Sequence, residues 1–249
     1  MNTIHTCGIK INPITTAEAR EYVEECFKKN KKGIQLTGVN IEQFALLKKD
    51  KKFKDYVNSS DIVNIDGTIV YLYLKMKFYK VKQRTLCADI FEDMLNIANE
   101  KGRSIYLLGA EEETVQKLAK VIGDKYPGLK IAGFHNGFFK DEKMIVADIA
   151  SKSPDYLFIG MPSPFKERFI TTYKNELNTG VCYGVGGMFD ILAGVAKRAP
   201  EKYQKAGLEW LYRITQNPKG HSKRIFRALL PAMFVFLKHL FERKPQIMD

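Results

Sequence analysis

The chain has 249 residues, 45% hydrophobic and 27% charged, with 40 lysines and arginines against 28 acids and a formal charge of +12. This length and ordinary globular composition fit one large α/β domain with an appendage, and exclude a fibrous or disordered chain. No basic segment followed by an apolar run opens the sequence, which predicts no signal peptide and a cytosolic location.

In chain order, Thr15-Thr16-Ala17-Glu18 reads as a capping box and Gly33 as a terminator, predicting a helix over residues ~15–32. The apolar run Ile34–Val39 follows, then a helix over Ile41–Lys49. A second strand, Asp61–Ile65, runs into Asp66-Gly67 and an apolar helix over Thr68–Met76. Further strands are predicted at Ser104–Leu108, Leu129–Phe134, Asp155–Ile159 and Val181–Val185. Helices at residues ~88–101, ~111–125, ~141–152 and ~164–178 separate them. Nearly continuous apolar strands alternating with helices predict a Rossmann-like α/β fold, a mostly parallel sheet with helices on both faces. This catalytic domain is expected to span residues 1–195.

Beyond it, residues 196–249 read as a basic, amphipathic, helical appendage. From Lys197 to Asp249 there are 12 Lys/Arg against four acids, a local balance of +8 that points to anionic lipid, nucleic acid or phosphate. Pro218-Lys219-Gly220 is expected to break the helices, with Arg224–Phe241 continuing. The uncharged run Ala228–Leu237 is ten residues, half of the ~20 a spanning helix needs. Phe226, Leu229, Leu230, Met233, Phe234, Leu237 and Leu240 recur at helical spacing, as either a core or subunit contact or an interfacial face. Arg224, Arg227, Lys238, Arg243 and Lys244 beside that face favour the anionic membrane surface.

Cys7, Cys26, Cys87 and Cys182 form no C-x-x-C pair and read as buried, reduced thiols. His5, His135, His221 and His239 have no metal-ligand spacing, so no structural zinc is expected. With no D-x-D either, neither a metal nor a cofactor is predicted, and a diphosphate leaving group would need protein cations and backbone donors.

Ligands of an open parallel sheet bind at the carboxyl ends of its strands. Four polar clusters lie there: Thr37–Asn40, Asn64–Gly67, Gly160–Pro164 and Gly184–Gly187. Asp66 reads either as the N-cap of the next helix or as a general base. Gly184, Gly186 and Gly187 look like an anion cradle, backed by the following helix N-terminus. Phe189 at the sixth position rules out a dinucleotide fingerprint, and no P-loop is present. Gly109-Ala110 is a second tight turn, serving close packing or an anion.

The stretch Tyr183-Gly184-Val185-Gly186-Gly187-Met188-Phe189-Asp190, with Gly194, Lys197-Arg198-Ala199-Pro200 and Gly207-Leu208-Glu209-Trp210-Leu211-Tyr212-Arg213, carries a resemblance. Together with Asp66-Gly67, Arg84 before Ala88-Asp89, Leu108-Gly109 and Gly133…Gly137-Phe138-Phe139, it resembles the WecG/TagA/CpsF glycosyltransferases, glycosyltransferase family 26. The resemblance implies an inverting, metal-independent transferase. It would move N-acetylmannosamine, its uronic acid or another hexose from a UDP-sugar to an undecaprenyl-diphosphate-linked sugar. The setting would be the cytoplasmic face of the membrane, in teichoic acid, common-antigen, capsule or exopolysaccharide synthesis.

By similarity Asp66 is the base, Thr37 and Asn40 line its pocket, Arg84 faces substrate and Arg213 closes over the diphosphate. Gly109, Gly137, Gly184, Gly186, Gly187 and Asp190 are expected at the nucleotide, and Arg224, Arg227, Phe234 and Lys238 at the membrane. Two positions depart from the family pattern. Pro164-Phe165-Lys166-Glu167 stands where the family reads P-K-Q-E, so Lys166 and Glu167 are substrate candidates, with a cation suited to an anionic sugar group. Thr37 and Asn40 are spaced T-x-x-N against T-x-N. A basic nucleic-acid-binding protein on the same core is the competing reading, disfavoured because no RNA- or DNA-binding signature occurs. The apolar stripe leaves a homo-oligomer open.

Overall fold

The computed structural model describes residues 2–216 and 218–240, with the backbone alone for residues 219–221, 224 and 240. The chain opens with a hairpin, β1 (Ile4–Thr6) and β2 (Ile9–Ile11), which the sequence patterns do not announce. Its turn residues Cys7 and Gly8 have φ of 55° and 77°. Two consecutive left-handed residues suit the twist of a tight hairpin, and a cysteine where asparagine is usual hides the signal.

Helix α1 (Thr16–Lys28) starts on the expected capping box: the Thr15 hydroxyl accepts from the Glu18 N–H and Glu18 accepts from the Thr15 N–H at 2.7 Å. It stops at Lys28, short of the predicted end, because Asn30 turns left-handed at φ 52° before Gly33 leads into the sheet. There follow β3 (Ile34–Val39), α2 (Ile41–Lys49), α3 (Phe53–Asn58), β4 (Ile62–Ile65), α4 (Thr68–Met76), α5 (Cys87–Lys101) and β5 (Ser104–Gly109). Next come α6 (Glu112–Lys125), β6 (Lys130–His135), α7 (Glu142–Lys152), β7 (Tyr156–Gly160), α8 (Phe165–Tyr173), β8 (Val181–Gly184) and the short α9 (Met188–Leu192). The six predicted strands appear within a residue of their expected limits; α8 ends earlier than expected, at Tyr173.

These six strands form one parallel sheet in the order β4-β3-β8-β7-β5-β6. The chain lays β4 outside β3, crosses to build the far side, and returns to insert β8 beside β3. Loops on either side of that insertion diverge to opposite faces, opening a crevice at the carboxyl ends. On one face Leu36, Phe158 and Tyr183 pack with Val23, Phe91 and Leu118 of the covering helices. On the other, Val63 and Ile65 pack with Phe44 and Leu74, while Tyr106 and Leu157 pack with Ile149 and Phe169. Cys7, Cys26 and Cys182 are buried free thiols, and Cys87 is a free thiol that is partly exposed.

The appendage consists of α10 (Glu201–Lys205), α11 (Glu209–Gln216) and α12 (Pro218–Leu240). The expected break at Pro218-Lys219-Gly220 is instead a beginning, because a proline in the first turn sacrifices no intrahelical hydrogen bond. Helix α12 docks through its small residues. Ala228, Ala232 and Val235 are buried against α2 and α4, and Phe236 stacks on Tyr73 with ring centroids 4.3 Å apart. Phe226, Leu230, Met233, Phe234 and Leu237, each about half exposed or more, face the other way. Among the described residues no helix is long and apolar enough to cross a membrane.

Candidate active site

The loops after β3, β4, β7 and β8 enclose a cleft of about 660 Å³, roofed by α11 and by Ile225, Phe226 and Leu229 of α12. That volume is in the range of a small-molecule site. Its floor carries Asn40, Asp66, Ser163 and Gly184–Gly187; its roof carries Glu209, Trp210, Arg213 and Phe226.

Asp66 stands at the rim where β4 ends. The N-cap of α4 is Gly67 with no side-chain cap, so Asp66 does not cap the helix that follows it. Its carboxylate is held from two other elements: Oδ1 accepts from the Cys87 N–H at 2.8 Å, and Oδ2 accepts from Asn40 Nδ2 at 3.3 Å. Cys87 is the first residue of α5, so Asp66 satisfies an orphan donor there from a different strand. Asn40 is the N-cap of α2, its Oδ1 accepting from the Glu42 N–H at 2.9 Å. One amide thus ends a strand, caps a helix and orients the acid.

Two glycines permit this approach. A Cβ at Gly67 would lie 2.7 Å from Asn40 Cβ, and one at Gly38 would lie 2.1 Å from Cys87 Sγ. Behind the acid, buried Asn64 donates to the Thr85 carbonyl at 2.7 Å and accepts from the Tyr183 hydroxyl at 3.4 Å. Burial pushes the Tyr183 phenol well above its ordinary range, so it remains protonated as a donor. Asp66 itself is half-buried and keeps an open side toward the cleft.

Thr37 does not share this pocket. It is buried within the sheet, its hydroxyl 2.8 Å from that of Ser60. Lys166 lines the cleft, yet it is no free cation: its ammonium is 2.5 Å from both Glu167 Oε1 and Ser163 Oγ, and the lysine and glutamate side chains are almost wholly buried. Glu167 keeps one carboxylate oxygen, Oε2, buried without a partner. Arg84 reaches the cleft with both terminal nitrogens committed, each 3.0 Å from a carboxylate oxygen of Glu209. Arg213 lines the cleft and forms no ion pair among the described residues, though its charge acts on Asp190.

The glycines divide in the same way. Gly186, at φ 54° with open space around its missing side chain, and Gly187 line the cleft, as does Asp190. Gly184 leaves room for the Lys166 stem, whose Cδ would lie 2.7 Å from an added Cβ. The N–H groups of Val185 and Gly186 both donate to the Ile159 carbonyl, and α9 has only five residues. The loop therefore offers fewer anion donors than its glycine content suggests. Gly109 and Gly137 do not line the cleft. Gly109 packs on Gly160, where a Cβ would meet the backbone at 2.6 Å, and Gly137 packs on Gly109. Burial pushes the Asp190 carboxyl up, Glu111 adds to the shift and Arg213 opposes it.

On α12, Arg227, Phe234 and Lys238 are exposed, and the Arg224 side chain lies outside the described residues. Sequence reasoning gave no role to Gln43, whose Nε2 donates to Ser163 Oγ at 2.9 Å and ties two cleft loops together. Its signal was legible: it is the third residue of the Asn40 capping box. The partnership of Arg84 with Glu209 carries no local sequence signal, since 125 positions separate the two.

Among curated proteins, the chain is 32% identical to an N-acetylglucosaminyldiphosphoundecaprenol N-acetyl-beta-D-mannosaminyltransferase of Bacillus subtilis (strain 168), over 80% of this chain and 77% of that one. A protein of the same name from Bacillus spizizenii (strain ATCC 23059 / NRRL B-14472 / W23) is 28% identical, over 79% and 77% of the two chains. One from Staphylococcus aureus (strain MW2) is 29% identical, over 78% and 74%. The model of the Glycosyl transferase WecG/TagA/CpsF family matches residues 4–246, so the chain belongs to that family and is a glycosyltransferase.

Proposed function

We propose that the protein transfers N-acetylmannosamine from its UDP derivative to the N-acetylglucosamine of an undecaprenyl-diphosphate-linked acceptor, with inversion and without a metal. The observation that carries this reading is the Asp66 carboxylate, fixed by two donors and open to the cleft. In the reaction the acceptor hydroxyl gives its proton to Asp66 as its oxygen attacks the anomeric carbon. The bond from that carbon to the β-phosphate oxygen breaks on the opposite face, and its electron pair leaves with UDP. Arg213, which lines the cleft roof and forms no ion pair among the described residues, compensates the charge that develops on the diphosphate.

The acceptor and sugar are taken from the names of the relatives. The Lys166–Glu167 pair supports a neutral sugar over its uronic acid, because the lysine charge is already matched inside the protein. The metal-free mechanism is taken from the family resemblance, and turnover in EDTA tests it. The exposed apolar stripe and cations of α12 support peripheral attachment at the cytoplasmic face of the membrane, where a lipid-linked acceptor for teichoic acid or a related polysaccharide would be met.

The test is UDP release across a panel of UDP-sugars with a short-chain N-acetylglucosaminyl lipid diphosphate, for the natural protein and Asp66→Asn. Turnover is expected with UDP-N-acetylmannosamine, undiminished by EDTA, and the variant should lose about 10²–10⁴-fold in kcat. Equal turnover by the two proteins would remove the base from the mechanism.

A further inference from the structure

Away from the cleft, a second hollow of about 180 Å³ lies where α2, α3 and α12 meet the β1–β2 turn. Its lining includes three lysines from three elements, Lys48, Lys54 and Lys238, together with Phe234, and among the described residues no acidic side chain. Among the described residues none of these lysines forms an ion pair. Three lysines on one lining give the hollow a positive character that an anion would match. Lys54 lies across the turn, its Nζ 3.0 Å from where a Gly8 side chain would begin. Lys48 sits 3.8 Å above the Phe234 ring, a contact that turns the phenylalanine face into part of the cation's environment.

We infer that this hollow binds the phosphate head group of an anionic glycerophospholipid. The lipid source, as against free phosphate, follows from what adjoins it. Phe234 belongs to the exposed stripe Phe226, Leu230, Met233, Phe234 and Leu237, which gives acyl chains an apolar surface beside the phosphate. The stripe also reaches the cleft, because Phe226 lines its roof. Phe226 and Lys238 are separated by twelve residues, about 18 Å of helix. A bulk lipid held at the hollow would lay the stripe along the bilayer surface and bring the cleft mouth to head-group level, where a lipid diphosphate presents its sugar. The inference rests on the proposed membrane attachment and identifies its anionic contact.

The experiment measures partitioning onto vesicles of phosphatidylcholine with and without phosphatidylglycerol. It compares the natural protein, Lys48→Gln/Lys54→Gln/Lys238→Gln, and a control, Lys117→Gln/Lys120→Gln/Lys143→Gln, on exposed sites of α6 and α7. It needs neither donor nor acceptor, so its outcome is independent of the transfer reaction. The first triple variant should unfold at an unchanged temperature and lose about a hundredfold in partitioning onto phosphatidylglycerol vesicles, roughly fivefold per lysine. The control should lose no more than about threefold, its charges being screened from the contact. Equal losses in both variants would reduce the effect to net charge and overturn the site. Binding that ignores phosphatidylglycerol would overturn the head-group assignment alone. Failure of the natural protein to bind either vesicle would overturn the membrane attachment on which it rests. Inorganic phosphate binding as tightly in calorimetry as soluble short-chain phosphatidylglycerol would make this a free-phosphate site instead.

Discussion

The floor and the roof of the cleft are built on opposite principles. The floor is an extension of the sheet: Asp66, Asn40 and the Gly184–Gly187 loop sit at strand ends whose preceding residues are wholly buried, and glycines at 38 and 67 let backbone approach backbone. The roof is added from outside. It is tied by the Arg84–Glu209 fork, by the Thr68 hydroxyl donating to the Gly207 carbonyl at 2.9 Å, and by the narrow alanine face of α12. A floor continuous with the buried sheet can fix a proton acceptor to a fraction of an ångström, while a roof helix such as α11, tied to the floor mainly by the Arg84–Glu209 fork, can yield to a bulky substrate. In the proposed mechanism the base, Asp66, would belong to the rigid part and the diphosphate-facing Arg213 to the yielding part.

The largest effect that tests this division is at Arg213. Its replacement by alanine removes a roof cation that forms no ion pair among the described residues, and kcat should fall about 10²–10³-fold, as when one transition-state donor is lost. KM for the acceptor should change far less, because the charge it meets develops mainly as UDP departs. A variant that instead raised KM at constant kcat would make Arg213 a ground-state binding residue and erase the distinction between roof and floor.

How much of this was legible in the sequence follows the same line. The sheet was, because buried parallel strands such as Tyr156–Gly160 and Ser104–Gly109 are nearly continuous apolar runs bounded by turn residues. Asp66 was legible as a strand-end acid and the family resemblance put Asn40 in its pocket, but the Cys87 N–H was not legible: it reaches Asp66 across 21 positions, and no spacing rule encodes that. Lys166 was read as a cation suited to an anionic sugar group, and its pairing with Glu167 was not legible because helix geometry ordinarily separates side chains adjacent in sequence. In α12 the pattern showed an apolar stripe but not which face would dock. The aromatic residues Phe44 and Tyr73 on α2 and α4 occupy the interface, where Ala228 and Ala232 let the helix approach and Phe236 packs on the two rings.

That docking choice gives the intermediate prediction. Ala232 is fully buried against the aromatic cluster, so Ala232→Leu should overpack it at about 1–3 kcal/mol. The expected fall in Tm is roughly 2–10 °C. Leu230→Ala, on the exposed face, should move Tm by no more than about 2 °C, since surface truncations stay within about 0.5 kcal/mol. Thermal unfolding followed by circular dichroism checks both. The reverse order would mean that the stripe, and not the alanine seam, is the packed face.

The smallest effect lies at the junction of roof and floor, in Asp190. Burial raises its carboxyl pKa above the ordinary value of 3.8, with Glu111 adding to the shift and Arg213 opposing it. A raised carboxyl means the folded state holds the proton more tightly than the unfolded state. Its stabilising contribution is complete below the unfolded pKa and is lost as pH rises through the folded one. At pH 7 the ionised side chain therefore weakens the fold, and Asp190→Asn should raise Tm, by roughly 1–2 °C after allowance for solvent screening. The gain should disappear below about pH 3.8, where both states of the natural protein carry the proton. Because Arg213 offsets part of the penalty, the gain should be larger in an Arg213→Ala background, a coupling a double-mutant cycle measures. An anionic diphosphate entering beside Asp190 would push its carboxyl further up, so UDP should bind with proton uptake and more tightly as pH falls toward the carboxylate range. A pH-independent UDP affinity that Asp190→Asn leaves unchanged would separate this carboxylate from the nucleotide and confine it to the stability of the loop.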